Sequence, residues 1–281
     1  RVLYGAWEAR DQENHSPVFD LTPFVVLLDW LSAANRFTLT GDGHFLADLV
    51  RSGMPEGHEM QADFEARKLG KSLKLAAEAI DSISLALRLT RPLEVMQSSV
   101  QFGETLNQSM PGIHAKARPL ALVARKLQEE YGQFALENPA EPDQLAQNLW
   151  LQLAMIDWYL HRRHIVQAAT LAREWVVSLL ANKFDAGMFD HRNGRKSIED
   201  ALNNSVERRK PKPLMREEGP FDKLFEDLAQ ADEISKLWNK MTELRNDIAH
   251  VGMRPSPKPA TLLKQNIEAL YPKLIELAQA L

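Results

Sequence analysis

The stretch M-T-E-L-R-N-D-I-A-H-V-G-M-R-P-S-P-K-P, residues 241–259, gathers Arg245, Asn246, Asp247 and His250 close to a helix end. Histidine moves protons near neutral pH, arginine presents a planar fork of donors to phosphate oxygens, and asparagine can orient the imidazole or the phosphate. Those types together suit proton transfer at a phosphate that gains negative charge as it reacts. At about 100° per residue, Leu237, Met241, Leu244, Ile248 and Val251 form one apolar stripe expected to face the core. Asn246 and His250 stack on the roughly opposite side, and Arg245 flanks the stripe with a stem that could reach over its edge. Gly252 is expected to take the left-handed conformation that ends the helix, with Pro255 barring its continuation. Asp247 is expected to be exposed, the alternative being that it orients Arg245 of either chain. The spacing equally accommodates a solvated last turn, in which His250 merely favours the helix C-terminus. The alternative puts Asn246 and His250 on a second buried surface such as a dimer seam, where polar groups need partners.

The elements that must position these residues follow from composition and pattern. The chain has 281 residues, a net charge of −4 and 44% hydrophobic residues, enough for one large or two small domains. It has no cysteine, which excludes disulfides, thiolate metal sites and cysteine nucleophiles and fits a reducing, cytoplasmic setting. No apolar run reaches the ~18 residues of a membrane span. The opening R-V-L-Y-G-A-W alternates like a strand, and residues 1–19 read as a strand and hairpin continuing from a longer protein. Residues 20–138 read as a helical linker or insertion, with Asp20 or Thr22 capping a first helix, Pro23 inside its start, and that helix buried on more than one side. One long helix is expected over 59–89. Pro139 and Pro142 mark a boundary, and 139–281 reads as the core carrying the motif helix. Two helices with a break near H-R-R-H come next, then a stretch without period over 185–219. A helix over 221–251, broken near Ala231, and a last one over 258–281 complete the chain. The fold class is all-α, a multi-helix bundle with a short N-terminal strand hairpin.

Other clusters admit chemistry of their own. Residues 191–216 collect Arg192, Arg195, Lys196, Arg208, Arg209, Lys210, Lys212 and Arg216, a run that can track phosphates or simply be a solvated, mobile loop. Phe189 is the one stacking aromatic nearby, so RNA contact there would be electrostatic and loosely specific. In D-W-Y-L-H-R-R-H, Asp157 and His161 share a helical face with His164 three further on, which could ligate a divalent metal. A helix-end cluster with ordinary hydrogen bonds is the simpler account. Trp150, Trp158 and Trp175 read as core, and Gly41-Asp42-Gly43 as a turn.

Arg245, Asn246 and His250 in L-R-N-D-I-A-H followed by G-M-R-P resemble the Arg-X4-6-His motif of HEPN ribonucleases. The segments Y-G-A-W-E-A-R, P-V-F-D-L-T-P-F-V-V-L-L-D-W-L-S-A-A-N-R-F-T-L-T-G-D-G and Q-A-A-T-L-A-R-E-W-V-V-S-L-L are similar to the effector half of CRISPR-associated CARF–HEPN proteins, the ancillary ribonucleases of type III systems. The resemblance implies a HEPN-type bundle and a metal-independent endoribonuclease acting on single-stranded RNA, with no cofactor. It implies a homodimer whose two motif helices face each other, with Arg245, Asn246 and His250 as the catalytic set. Cleavage by the RNA's own 2′-hydroxyl needs a proton acceptor, a proton donor and cationic charge on the phosphate. A two-fold axis doubles what one helix presents. The family's sensor domain binds cyclic oligoadenylate, so control by that ligand would belong to a parent protein. Two other readings stand beside this one: a non-catalytic helical module that dimerises or binds RNA or a partner, and a HEPN toxin subunit, which the insertion over 55–135 disfavours.

Overall fold

A short strand leads into the first helix at Leu21, which holds the N-cap position with no side-chain cap, so neither Asp20 nor Thr22 caps the helix as expected. Strands β1 (Leu3–Gly5) and β2 (Val18–Asp20) pair antiparallel, Leu3 opposite Asp20 and Gly5 opposite Val18. The Asp20 carboxylate accepts the Thr22 amide at 2.8 Å, and Pro23 fills the first turn of α1 (Thr22–Thr40), where no amide is required. Helix α1 stops where Gly41 adopts φ 72°. Apart from this hairpin, helices dominate the computed structural model, which describes residues 1–281 except Lys212, Pro213, Met215 and Arg254. The protein is therefore all-α with a two-stranded N-terminal hairpin. Among the described residues no helix is long and apolar enough to cross a membrane.

The chain divides into two compact units, Arg1–Ala135 and Leu136–Leu281. In the first, α1 is followed by α2 (His44–Ser52), α3 (Gly57–Ala62), α4 (Phe64–Arg88), α5 (Pro92–Lys116) and α6 (Arg118–Gly132). Helices α4 and α5 pack closely because Gly112 has no side chain. A Cβ there would stand 2.7 Å from Ser72 Oγ. At that crossing Ser109 Oγ donates to the Ser72 carbonyl at 3.0 Å and Ser72 Oγ donates back to the Ser109 carbonyl at 3.3 Å. The core centres on Phe37 of α1, stacked on Tyr131 with centroids 4.4 Å apart, while Phe102 meets both rings edge-on.

Two expectations fail in this unit. The long helix over 59–89 is two helices, because Asp63 takes an extended conformation and its carboxylate accepts the amides of Glu65 and Ala66. Asp63→Ala is expected to cost about 1 kcal/mol, measured as a shift in the urea midpoint. Helix α1 is also not buried on more than one side. Trp30, Ala33, Ala34 and Phe37 face the core, whereas Phe24, Val26, Leu28 and Leu31 are exposed. Its apolar residues run consecutively, so no single neighbour within the unit can cover them all.

The second unit contains α7 (Leu145–His161), α8 (Ile165–Lys183), α9 (Lys196–Arg208), α10 (Asp222–Glu226), α11 (Ala231–Ala249), α12 (Ala260–Glu268) and α13 (Tyr271–Ala280). Helix α8 is central, touching α7, α9, α11, α12 and α13, and is apolar around most of its circumference, as such a position demands. The H-R-R-H break is a tight turn in which Arg163 takes φ 61°. The expected break before Ala231 is present. The last expected helix is split instead into α12 and α13, with Pro272 in the first turn of α13. Trp158 and Trp175 are buried, but Trp150 is 47% exposed, so only two of those three tryptophans belong to the core.

Candidate active site

Helix α11 carries Arg245, Asn246 and His250 at its C-terminal end. Its buried face is Ile234, Leu237, Trp238, Met241 and Leu244, as the apolar period requires. The stripe does not continue as expected. Ile248 is half-buried, and Val251 is 81% exposed, because the helix ends at Ala249 and Val251 turns to φ 53°. Once the helical geometry stops, the period no longer says which way a side chain faces. Gly252 does adopt the left-handed conformation, at φ 72°. Asp247, expected at the surface, is 2% exposed, and its Oδ2 accepts the Lys258 amide at 3.1 Å. Lys258 thus comes back to this side of the helix end.

That return leaves the opposite edge open. Arg245 is exposed, and its Nη1 donates to Asn246 Oδ1 at 3.1 Å. Asn246 is half-buried. His250 caps the helix, its amide donating to the Asn246 carbonyl at 3.0 Å, and its ring is exposed without a hydrogen-bond partner among the described residues. One chain thus joins Arg245 to Asn246 and presents one exposed imidazole at the cap of the same helix. Next to it stand two exposed apolar side chains, Val251 and the 88%-exposed Met253.

A charged cluster near α11 was not foreseen from the sequence. Arg173 of α8 is largely buried, lies 4.3 Å over the Trp238 ring and pairs with Glu199 of α9. Burial alone would push the Glu199 carboxyl up. The hydrogen bond and charge of Arg173, with the charges of Lys196 and Arg245, outweigh it and hold Glu199 below the ordinary value of 4.5. The ionised carboxylate therefore stabilises the fold above that value, and the contribution is lost as pH falls through the lowered one. Glu199→Gln is expected to flatten the acid limb of the stability profile, measured as the urea midpoint from about pH 6 down to about pH 3. The signal that could have found this cluster is the Arg173-Glu174 pair of charges in the middle of a mostly apolar α8.

The basic stretch is not the aperiodic loop that was expected. It contains α9, whose buried face is Ile198, Ala201, Leu202, Asn204 and Ser205. The last two are polar, which hides the period. They are buried because Asn204 Nδ2 donates to Asp222 at 3.0 Å and Ser205 Oγ lies 2.6 Å from Ser235 Oγ. Most of the cations are held within the chain. Arg195 pairs with Glu174, Lys196 with Asp200, Arg208 with Asp222, Glu218 and Glu226, and Arg209 with Glu226 and Asp232. Lys210 donates to Asn239 Oδ1 at 3.4 Å, Arg216 pairs with Glu207, and Arg192 is exposed. Lys212 lies outside the described residues.

In D-W-Y-L-H-R-R-H, His161 Nδ1 lies 3.2 Å from Asp157 Oδ2, so these two do share a face, while His164 stacks on Trp158. Among the described residues no group of three or more His, Asp or Glu is placed to hold a metal ion. The chain matches no family model and no curated protein.

Proposed function

We propose that this chain is a metal-independent endoribonuclease that cleaves single-stranded RNA at a site composed from two copies of the α11 end. His250 transfers the proton, Arg245 neutralises the charge building on the phosphate, and Asn246 orients Arg245. The role is one in CRISPR-associated antiviral defence, with cyclic oligoadenylate as the activator of a parent protein. The observation that carries the reading is the contrast between cations. Arg195, Arg208 and Arg209 are bound to carboxylates, whereas Arg245, like Arg192, has no ion-pair partner among the described residues and lies exposed at the helix end that also carries His250. A guanidinium without a carboxylate contact and an imidazole without a hydrogen bond among the described residues, both at one helix end, are what a phosphate ester needs. One copy holds a single imidazole there, so a two-fold dimer supplies the second proton-transfer group.

The exposed apolar run of α1 favours a second reading, a non-catalytic helical module that docks on a partner. Cleavage of single-stranded RNA in EDTA by the wild type and by His250→Ala separates the two. Wild-type cleavage lost in the variant, with the dimer retained, supports the ribonuclease. Intact RNA with the wild type, with or without the parent's activator, supports the docking module.

A further inference from the structure

The mechanism above uses Arg245, Asn246 and His250 but not the buried acid between them. Asp247 Oδ2 accepts the Lys258 amide, and Oδ1 is buried with no partner among the described residues. One turn earlier on the same face, Glu243 Oε2 lies 3.5 Å from Lys258 Nζ. Helix α11 thus grips Lys258 twice, by its backbone and by its side chain.

What this grip holds is a strained reversal. Between α11 and Lys258, Val251 and Ser256 have φ of 53° and 56° and Gly252 has 72°. A β-branched residue at positive φ is costly and persists only where its surroundings impose it. The turn is closed by the Met253 amide on the His250 carbonyl at 2.7 Å and the Gly252 amide on the Asp247 carbonyl at 3.3 Å. His250 is therefore at once the C-cap of the helix and the first residue of the strained turn. Its exposed ring has no hydrogen bond among the described residues to fix it, so its direction depends on the turn.

Resting on the ribonuclease reading, we propose that Asp247 is a positioning residue: by tying the Lys258 amide to α11 it holds the strained turn, and through it His250, in the orientation that proton transfer requires. A carboxylate suits this task because it is a short, strong acceptor that reaches a backbone amide from a buried helix face. Asparagine keeps an acceptor oxygen at the same place, whereas alanine removes it and leaves a part-buried amide without that acceptor.

The test pairs amide hydrogen exchange over residues 250–258 with kcat and KM on single-stranded RNA. Asp247→Ala is expected to speed exchange in that segment by about tenfold or more, with α8 unchanged. Its kcat is expected to fall by up to about 10²-fold with KM within about twofold, the size of effect a small misplacement of a reacting group produces. Asp247→Asn is expected to restore both readouts. Lys258→Pro deletes the donated N–H without touching α11 and should reproduce the alanine variant, while Lys258→Ala keeps that N–H and controls for the Glu243 pair. Unchanged exchange in both Asp247→Ala and Lys258→Pro overturns the tie. Faster exchange with unchanged kcat overturns the positioning role. An inactive Asp247→Asn with normal exchange would show that charge or a proton, not anchorage, is what Asp247 supplies, and would also overturn it. A wild type that cuts no RNA defeats the ribonuclease reading and the positioning role with it, and the exchange measurement then still decides whether Asp247 holds the turn.

Discussion

His250→Ala is expected to lower the rate of single-stranded RNA cleavage by roughly 10²–10⁴-fold, the range for removing a general acid or base. The loss should appear in kcat, because the imidazole acts on a proton in the transition state and contributes little to holding the strand. Stability should move by less than about 0.5 kcal/mol, since an exposed ring without hydrogen-bond partners has little to lose on truncation. That combination separates a catalytic group from a structural one. A structural histidine would show the reverse, a lower unfolding midpoint with activity falling in proportion to unfolded protein. Arg245→Lys provides a graded companion. It keeps the charge but loses the planar fork, so its rate should lie between the wild type and Arg245→Ala. Wild-type rates in His250→Ala and Arg245→Ala would remove both residues from the chemistry.

Phe37→Ala is expected to destabilise the first unit by about 3–5 kcal/mol, measured by urea unfolding of the whole chain. Phe37 is fully buried, stacked on Tyr131 and met edge-on by Phe102, so truncation opens a cavity and removes two ring contacts at once. The backbone is involved as well, because Tyr131 Oη donates to the Phe37 carbonyl, and Tyr131→Phe should cost about 1 kcal/mol by deleting that bond alone. Phe24 on the same helix is the internal control. It is 65% exposed, and Phe24→Ser is expected to change stability by no more than about 0.5 kcal/mol. If Phe24→Ser is as damaging as Phe37→Ala, the apolar end of α1 is covered in solution and the docking reading gains ground. A loss below about 1 kcal/mol in Phe37→Ala would mean that the aromatic centre is not what holds the unit together.

Much of the framework was legible before any coordinates. The N-terminal hairpin, the turn at Gly41, the break at H-R-R-H and the interruption before Ala231 are announced by glycine, proline and changes of period, all of which act over a few residues. Helix α9 was missed because Asn204 and Ser205 sit on its buried face, and an apolar period cannot register a polar residue whose partners, Asp222 and Ser235, lie far along the chain. Asp63 was missed for a different reason: it resembles any other charge in a long helical run, and only its extended backbone makes it a cap.

The sequence by itself determined the all-α class, the absence of thiol chemistry, the core stripe of α11 as far as Leu244, and the presence of Arg245, Asn246 and His250 near the end of that helix. These depend on residue type and on spacing within one element. Only the tertiary structure decided that Asp247 is buried and Val251 exposed, that Arg195, Arg208 and Arg209 are bound to carboxylates while Arg245 has no such partner among the described residues, and that Arg173 and Glu199 stand near the motif. Each of those is a relation between groups distant in sequence. Burial and ion pairing are settled by whatever chain returns to the same place, and a local period carries no record of that return.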